Sequence, residues 1–224
     1  MNTAIAHTPS DMAARARFVP GYGTILQMST QLIAEHVGGP GLVLVLGAGG
    51  GLELEAFAAR MPGWTYLAVD PDRTMLEAAR ERARGCGAAE RISWVEGRIF
   101  DAPPARCDAA TCLLTLHFIV GEQAKLETLR ALRARLRPGA PFVLVDLCMD
   151  RDAQDYGLQL DRYERFALDS GADPELAVST RARVRDVIDT LPPLREQALL
   201  GEAGFGDIDL FYAGLSWRGW VAHA

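Results

Sequence analysis

Residues 41–60 read GLVLVLGAGGGLELEAFAAR. An apolar run with strand character stops at a cluster of glycines, residues 47–51, and a helical pattern follows directly. α/β proteins use this arrangement to bring backbone N–H groups up to a nucleotide-like ligand. The stretch therefore predicts a strand, a ligand-binding loop and a helix within an α/β fold.

Strand and helix patterns alternate along most of the chain. Strand patterns occur in TYLAVD, RISWVEG, DAATCLLTL and PFVLVDLC, and helical patterns separate them in LELEAFAAR, PDRTMLEAARERAR and residues 123–136. The final stretch, DIDLFYAGLSWRGWVAHA, reads as two strands that meet near Ala213 and Gly214. This alternation predicts a Rossmann-like three-layer α/β sandwich with a mostly parallel sheet of seven strands and an antiparallel C-terminal strand.

Two largely helical segments lie outside that alternation. Residues 1–40 are expected to form N-terminal cap helices, and residues 150–195 form an insertion that is longer than a simple crossover requires. The chain has 224 residues, 49% of them hydrophobic, which is enough for one large domain with a buried core. We expect a single domain over residues 1–224.

Charge and residue spacing argue against several classes of function. The net charge is −6, whereas proteins that bind a nucleic-acid backbone usually carry a broad basic surface. We therefore expect a small-molecule substrate and no nucleic-acid partner. No apolar run approaches the roughly 20 residues of a membrane-spanning helix, and the N-terminus lacks a signal peptide's apolar core, so we expect a cytoplasmic enzyme. The four cysteines and four histidines show no metal-ligand spacing, and no metal site is expected.

The spacing of the glycines distinguishes two nucleotide-type cofactors. Read as G-x-G-x-x-G/A for a dinucleotide, the third position falls on Leu52, where close packing of helix on strand requires a small residue. Read as G-x-G-x-G, the motif is Gly47, Gly49 and Gly51, which resembles motif I of class I S-adenosylmethionine (SAM) methyltransferases. Asp70 ends the next strand, where both families place an acid against ribose hydroxyls. SAM is therefore the expected cofactor.

A closer resemblance extends over nearly the whole chain. The stretches RARFVPGYGTILQMSTQLIAEHV, VEGRIFD, TLHFI, LRPGAPFVLVD, DPELAVSTRARVRDVI and EAGFGDIDLFYAGLSWRGWVA are similar to the carboxy-SAM synthase group, the SAM enzymes of wobble-uridine oxyacetate synthesis in tRNA. This resemblance implies that the helices of residues 150–195 form a lid over the cofactor. Together the two resemblances imply these cofactor-binding residues: Tyr22, Gly47, Gly49, Gly51, Asp70, Pro71, Arg98, Ile99 and Leu113.

The chain departs from those patterns at three positions. Val45 stands where the methyltransferase pattern has an acid near the ammonium group of SAM. Arg98 replaces an acid that accepts from the adenine amino group in many relatives, which leaves the backbone N–H of Ile99 to serve the adenine ring. Leu199 falls where an arginine is expected to hold the extra carboxylate of carboxy-SAM, with Arg195 one helical turn earlier as a substitute. A buried carboxylate without a partner is costly, so ordinary SAM is favoured over carboxy-SAM.

Methyl transfer to a small acceptor is the first hypothesis for the reaction. His117, just beyond the fourth strand, is a candidate base, and Tyr163 is a second candidate catalytic residue. Aromatic faces stabilise a sulfonium cation, and arginines in the lid can meet a carboxylate. The further candidates for the substrate and the lid are Tyr156, Arg181, Arg183, Tyr212 and Trp217.

Val45 also raises an alternative reaction. If no acid holds the amine of SAM as ammonium, that nitrogen can attack its own γ-carbon and expel methylthioadenosine, as in the azetidine-2-carboxylate synthases that this feature resembles. Carboxy-SAM synthesis and a non-enzymatic SAM-binding role are further alternatives, and a homodimer is a candidate assembly. Incubation with SAM alone separates the cyclase from methyl transfer, because only the cyclase releases methylthioadenosine without an acceptor.

Overall fold

One seven-stranded sheet organises the part of the chain that the computed structural model describes, residues 12–224. The strands are β1 (Gly41–Leu46), β2 (Trp64–Asp70), β3 (Ile92–Glu96), β4 (Ala109–Leu113), β5 (Pro141–Leu147), β6 (Gly206–Gly214) and β7 (Trp217–His223). Their order is β3-β2-β1-β4-β5-β7-β6, and β7 runs antiparallel to both of its neighbours, whereas β1 to β5 are mutually parallel. The predicted mostly parallel sheet with an antiparallel C-terminal strand is confirmed.

Eight α-helices connect or flank these strands within the described residues. They are α1 (Met12–Ala16), α2 (Tyr22–Ala34), α3 (Leu52–Arg60), α4 (Arg73–Gly85), α5 (Glu122–Arg133), α6 (Tyr156–Asp169), α7 (Pro174–Asp186) and α8 (Pro193–Glu202). The Asp72 carboxylate caps α4 by accepting from the backbone N–H of Met75 at 3.1 Å, as N-cap residues do. The first eleven residues of the predicted N-terminal cap lie outside the described residues.

Alternate residues of the central strands pack on opposite faces of the sheet. On β1, Val43 and Val45 join a core that includes residues of α2, α3, α4 and α6, whereas Leu44 and Leu46 join a second core formed largely with α5 and α8. A strand buried on both faces reads as a continuous apolar run, which is why LVLVL shows no polar alternation. The glycine loop therefore leaves the sheet between two packed layers.

The C-terminal hairpin holds the VPGY segment that links α1 to α2. The Tyr212 hydroxyl donates to the backbone carbonyl of Pro20 at 2.6 Å, and the Trp217 ring N–H donates to the carbonyl of Phe18 at 3.2 Å. These bonds join positions almost 200 residues apart in sequence. They fix the start of α2, and with it the position of Tyr22.

The predicted insertion of residues 150–195 contains α6, α7 and the first residues of α8. The helices α6 and α7 pack against each other. Helix α8 is different, because Leu199 and Leu200 are fully buried in the second core and the helix leads into β6. The predicted boundary at residue 195 thus falls inside a helix that packs on the sheet. Between residues 12 and 224 no helix combines the length and apolar composition needed to cross a membrane.

Candidate functional site

The glycine loop turns sharply at the end of β1. Gly47 has a φ of 78°, and a Cβ there would lie 2.0 Å from the hydroxyl oxygen of Thr115, so no other residue fits. At Gly49 and Gly50 an added Cβ would come no nearer than 3.7 Å to any of its neighbours, and the side-chain atom it approaches is Cε of Met75. The middle of the loop is therefore less closely packed than Gly47, and Gly49 and Gly50 both line the cavity described below.

Gly51 has a different role from the glycines before it. Its φ is 80°, it is the N-cap of α3, and an added Cβ would lie 2.9 Å from the Cα of Ala79 on α4. Close contact between α3 and α4 thus requires glycine at this position. Gly51 does not line the cavity described next, and its contact with the cofactor stays a prediction.

A cavity of about 640 Å³ lies beyond the carboxyl ends of β1 to β4, where open α/β sheets bind ligands. It brings together residues that are far apart in the sequence. Eight of the nine residues predicted to bind the cofactor line it: Tyr22, Gly47, Gly49, Asp70, Pro71, Arg98, Ile99 and Leu113. Its size lies within the range of pockets that enclose one small ligand.

Asp70 holds the glycine loop against the end of β2. One carboxylate oxygen accepts from the backbone N–H of Gly49 at 2.8 Å, and the other accepts from the N–H of Asp72 at 2.9 Å. An ionised carboxylate offers about four lone-pair sites, so bracing the loop is compatible with accepting from ligand hydroxyls. Asp70 thus links the shape of the loop to the predicted ribose contact.

Arg98 and Ile99 form the edge of the cavity after β3. Arg98 is exposed, and its backbone N–H donates to the Asp101 carboxylate at 2.7 Å. Ile99 is 1% exposed, and its side chain packs in the second core. An apolar side chain and a short helical turn therefore lie where the sequence predicts the adenine ring.

Val45 is fully buried on β1 and does not line the cavity. The acid that the sequence analysis missed is Glu53, in the first turn of α3. Glu53 lines the cavity although it is only 5% exposed, and its Oε1 atom makes no hydrogen bond to any described residue. Burial raises the pKa of Glu53 to about 8, and the Thr111 hydroxyl opposes part of that shift.

A signal for Glu53 is present in LELEAF. Glu53 lies between two buried leucines and one helical turn before the fully buried Phe57, so it falls on the inward stripe of an amphipathic helix. A charged residue at an inward position is rarely fully buried without a partner. That conflict makes Glu53 a candidate functional residue.

Arg15 and Tyr22 stand with Glu53 in what we call the Glu53 cluster (Arg15, Tyr22 and Glu53). All three line the cavity. Burial raises the pKa of Tyr22 to about 12, with the positive charge of Arg15 lowering it and the negative charge of Glu53 raising it. The charges of Arg15 and Glu53, which line the cavity, therefore both act on Tyr22, and so does the charge of Arg82, which does not line it. The Nε atom of Arg15 has no hydrogen-bond partner between residues 12 and 224.

The two predicted catalytic residues do not line the cavity. The His117 ring is 4% exposed, its Nδ1 pairs with the Asp146 carboxylate, and it packs edge-on against Trp217 at 5.8 Å between ring centroids. Tyr163 is 7% exposed and packs on Phe18, with 6.1 Å between the ring centroids. Both side chains are buried against other parts of the fold, because the partners of His117 lie on β5 and β7 and Phe18 lies between α1 and α2.

The predicted lid residues also remain outside the cavity. Arg181 pairs with Asp161 at 2.7 Å and Glu164 at 3.1 Å, so its charge is matched on neighbouring helical turns. Arg183 lies 5.2 Å above the ring of Phe118, which does line the cavity. The other three, Tyr156, Tyr212 and Trp217, lie elsewhere, and Tyr212 and Trp217 donate hydrogen bonds to the carbonyls of Pro20 and Phe18.

The residues considered for a carboxy-SAM carboxylate do not reach the cavity either. Leu199 is fully buried on α8. Arg195 forms ion pairs with Glu122 and Glu202 on the protein surface, and those bonds raise its pKa. The arginines that do line the cavity are Arg15 and Arg98, among the residues the structure describes.

Comparison of the sequence with known proteins identifies its relatives. Residues 44–142 match the family model described as a methyltransferase domain. A carboxy-S-adenosyl-L-methionine synthase from Chromohalobacter salexigens is 31% identical over 211 residues, which cover 92% of this chain and 77% of the relative. One from Desulfotalea psychrophila is 25% identical over 224 residues, covering 99% and 90% of the two chains.

Solved structures share the fold. An O-methyltransferase family protein from Burkholderia thailandensis has a TM-score of 0.66 at 15% identity, covering 97% of this chain and 65% of its own length. The dimethyltransferase RosA from Streptomyces davawensis has a TM-score of 0.63 at 16% identity, covering 90% of this chain and 54% of its own length. The chain thus spans less than two thirds of the length of either structure, and identities this low report on fold alone.

Proposed function

Because this chain belongs to the class I SAM-dependent methyltransferase superfamily, with relatives named carboxy-SAM synthase, we propose that it transfers a methyl group from SAM to a small acceptor. The observation that carries the proposal is that one cavity combines the glycine loop with the segment that follows β4. That segment is where this fold places groups that face the substrate. A cofactor and a small acceptor would then meet in one enclosed space.

The residues of the cavity fit SAM. The backbone at Gly49 and Gly50 is open where any side chain would occupy space, and Asp70 supplies carboxylate oxygens beside the loop. Glu53 adds an acidic group with an unpartnered oxygen, which suits a ligand that carries an ammonium group. The glycine loop, the acids and the apolar edge at Ile99 together suit a ligand in which a nucleoside is joined to an amino acid.

When bound, SAM supplies a sulfonium whose methyl carbon is electrophilic. The chain's own contribution is to orient both molecules and to exclude water. Leu114, Phe118, Ile119 and Val120 give the segment after β4 an apolar lining. Phe118 and Val120 are 44% and 75% exposed, so this lining reaches the protein surface, where an acceptor enters.

The two alternative reactions have weaker support. The cyclase hypothesis rests on an amine that meets no acid, and Glu53 now provides an acid in the cavity. The carboxy-SAM hypothesis requires a cation for an extra carboxylate, and neither Leu199 nor Arg195 reaches the cavity. Methyl transfer needs neither feature. The expected cytoplasmic location, homodimer and lack of a nucleic-acid partner belong to the same proposal.

Mass spectrometry of the products tests the reaction. The purified protein is incubated with SAM alone and with SAM plus a panel of small phenols, amines and carboxylic acids. We expect SAM to stay intact alone and S-adenosylhomocysteine to form with an acceptor. Methylthioadenosine above the buffer control, without an acceptor, would replace methyl transfer by cyclisation. A carboxylated SAM would instead support the chemistry named for the relatives.

A further inference from the structure

The acid that class I methyltransferases place on β1 is replaced in this chain by a buried valine. Val45 is fully buried, and in the sheet register it stands opposite Thr111 on β4. Because its side chain packs in the core with α2 and α3, it offers nothing polar to a ligand. An ammonium group in the cavity must find its negative partner on another element.

Glu53, on helix α3, supplies a carboxyl group near the position of Val45 on β1. The Thr111 hydroxyl, opposite Val45 in the register, lowers the pKa of the Glu53 carboxyl, although neither that hydroxyl nor Glu53 Oε1 has a hydrogen-bond partner in the described part of the chain. Glu53 therefore reaches, from the first turn of α3, the strand position that Val45 leaves without an acid. A buried polar atom without a hydrogen-bond partner is unfavourable, so Glu53 Oε1 is destabilising until a donor binds.

Arg15 supplies the opposite charge in the same part of the cavity. Its guanidinium and the Glu53 carboxyl both act on the Tyr22 hydroxyl, which places a cation and an acid around one side chain. The Arg15 Nε has no hydrogen-bond partner in the described part of the chain. A positive and a negative group with unused hydrogen-bonding capacity match the carboxylate and ammonium groups of a free amino acid.

We propose that Glu53 and Arg15 bind the amino-acid part of SAM, with the ammonium group holding the Glu53 carboxyl ionised and donating to it, and the Arg15 guanidinium donating to the carboxylate of SAM. The assignment rests on SAM as the cofactor and is independent of which carbon of SAM reacts. It means that this chain has moved the acid from β1 to α3. It also keeps the amine of SAM protonated, which favours methyl transfer over attack by that amine.

Binding of three related ligands to the full chain tests the assignment. S-adenosylhomocysteine carries both the ammonium and the carboxylate group, decarboxylated SAM keeps only the amine, and 5′-methylthioadenosine lacks both. Isothermal titration calorimetry gives a dissociation constant for each ligand and each variant. Because only binding is measured, failure of the proposed methyl transfer would not alter the result.

The substitutions Glu53→Gln and Arg15→Gln have distinct expected signatures. Glu53→Gln should weaken S-adenosylhomocysteine binding by about tenfold or more, while methylthioadenosine changes by less than about twofold. Arg15→Gln should weaken S-adenosylhomocysteine by a similar factor and leave decarboxylated SAM nearly unchanged. The exposed residues Glu77 and Arg17 serve as matched controls, and Glu77→Gln and Arg17→Gln should change no dissociation constant.

Two results would overturn the assignment. Unchanged binding of S-adenosylhomocysteine to Glu53→Gln would show that the ammonium group binds elsewhere. Equal losses for S-adenosylhomocysteine and methylthioadenosine would show that Glu53 only maintains the shape of the cavity. Thermal melting of each ligand-free variant confirms that a weaker affinity is measured on folded protein.

Discussion

Two of the acids that line the cavity, Asp70 and Glu53, have opposite surroundings. Asp70 accepts two backbone N–H groups at the end of β2, and these bonds hold the glycine loop in place. Glu53 is as deeply buried, yet its Oε1 has no hydrogen-bond partner in residues 12–224, and burial raises its pKa to about 8. The Asp70 carboxylate uses hydrogen bonds to hold the loop, whereas the Glu53 carboxyl keeps an oxygen that can still accept a hydrogen bond from a ligand. The comparison therefore separates the Glu53 cluster from what we call the nucleoside region, the glycine loop and Asp70, which are predicted to bind the nucleoside.

The largest expected effect is on the pH dependence of stability at Glu53. The pKa of Glu53 is higher in the folded protein, about 8, than its usual 4.5, so its contribution to stability is present below pH 4.5 and is lost as pH rises through 8. Ligand-free Glu53→Gln should therefore be more stable than the native chain at pH 9, by up to about 4 kcal/mol, and similar at pH 4.5. Urea unfolding at both pH values measures the difference.

The titratable groups that interact electrostatically with Glu53 do not contribute to the expected pH dependence of this stability difference. They are Tyr22 on α2, Tyr66 on β2 and Cys112 on β4, and burial raises the pKa of each. None of the three ionises between pH 4.5 and 9. A stability gap that does not grow with pH would mean that Glu53 is compensated in the free protein, and the contrast with Asp70 would fail.

A second comparison concerns adjacent glycines of the loop. Gly51→Ala forces a Cβ to within 2.9 Å of the Ala79 backbone at a positive φ, so we expect a loss of about 2–4 kcal/mol in the free energy of unfolding. Gly50→Ala meets only Met75 at 3.7 Å and should leave stability nearly unchanged while it weakens SAM binding. Denaturant unfolding and calorimetry measure the two effects. Equal stability of both variants would contradict the division of roles within the loop.

Asp70→Ala tests the nucleoside region. Loss of hydrogen bonds to the ribose and to the loop should weaken binding by about 1–3 kcal/mol. The loss should be the same for S-adenosylhomocysteine and for methylthioadenosine, since both carry the ribose. An effect confined to S-adenosylhomocysteine would place Asp70 with the Glu53 cluster and remove the distinction between the two regions.

The smallest effect is expected at Arg181, which the sequence offered as a lid residue. Its ion pairs with Asp161 and Glu164 lie near the surface, where such pairs contribute about 0–1 kcal/mol. Arg181→Ala should lower stability by no more than that and should leave the dissociation constant for SAM unchanged. Weaker SAM binding in calorimetry would show that α7 moves onto the cavity when the ligand is present.

Much of the nucleoside region could be predicted because its signals are local in sequence. A continuous apolar strand, spaced glycines and an acid at the end of the next strand predict β1, the loop and Asp70, since each depends on neighbouring residues and on parallel strands ending together. His117 shows the limit of that reasoning. Its position after β4 is as predicted, but its ring pairs with Asp146 on β5 and does not line the cavity.

The sequence by itself determined the α/β fold and the antiparallel C-terminal strand, because the hydrophobic period and the order of strands and helices can be read along the chain. SAM as cofactor followed from the resemblance of the glycine motif to motif I of class I methyltransferases. The sequence also showed that Val45 cannot be the usual acid. Only the tertiary structure decided that Glu53 enters the cavity beside Thr111 and that Arg15 joins it across Tyr22. Burial and charge pairing depend on which helices and strands pack together. The spacing of residues within one segment of sequence therefore cannot predict them.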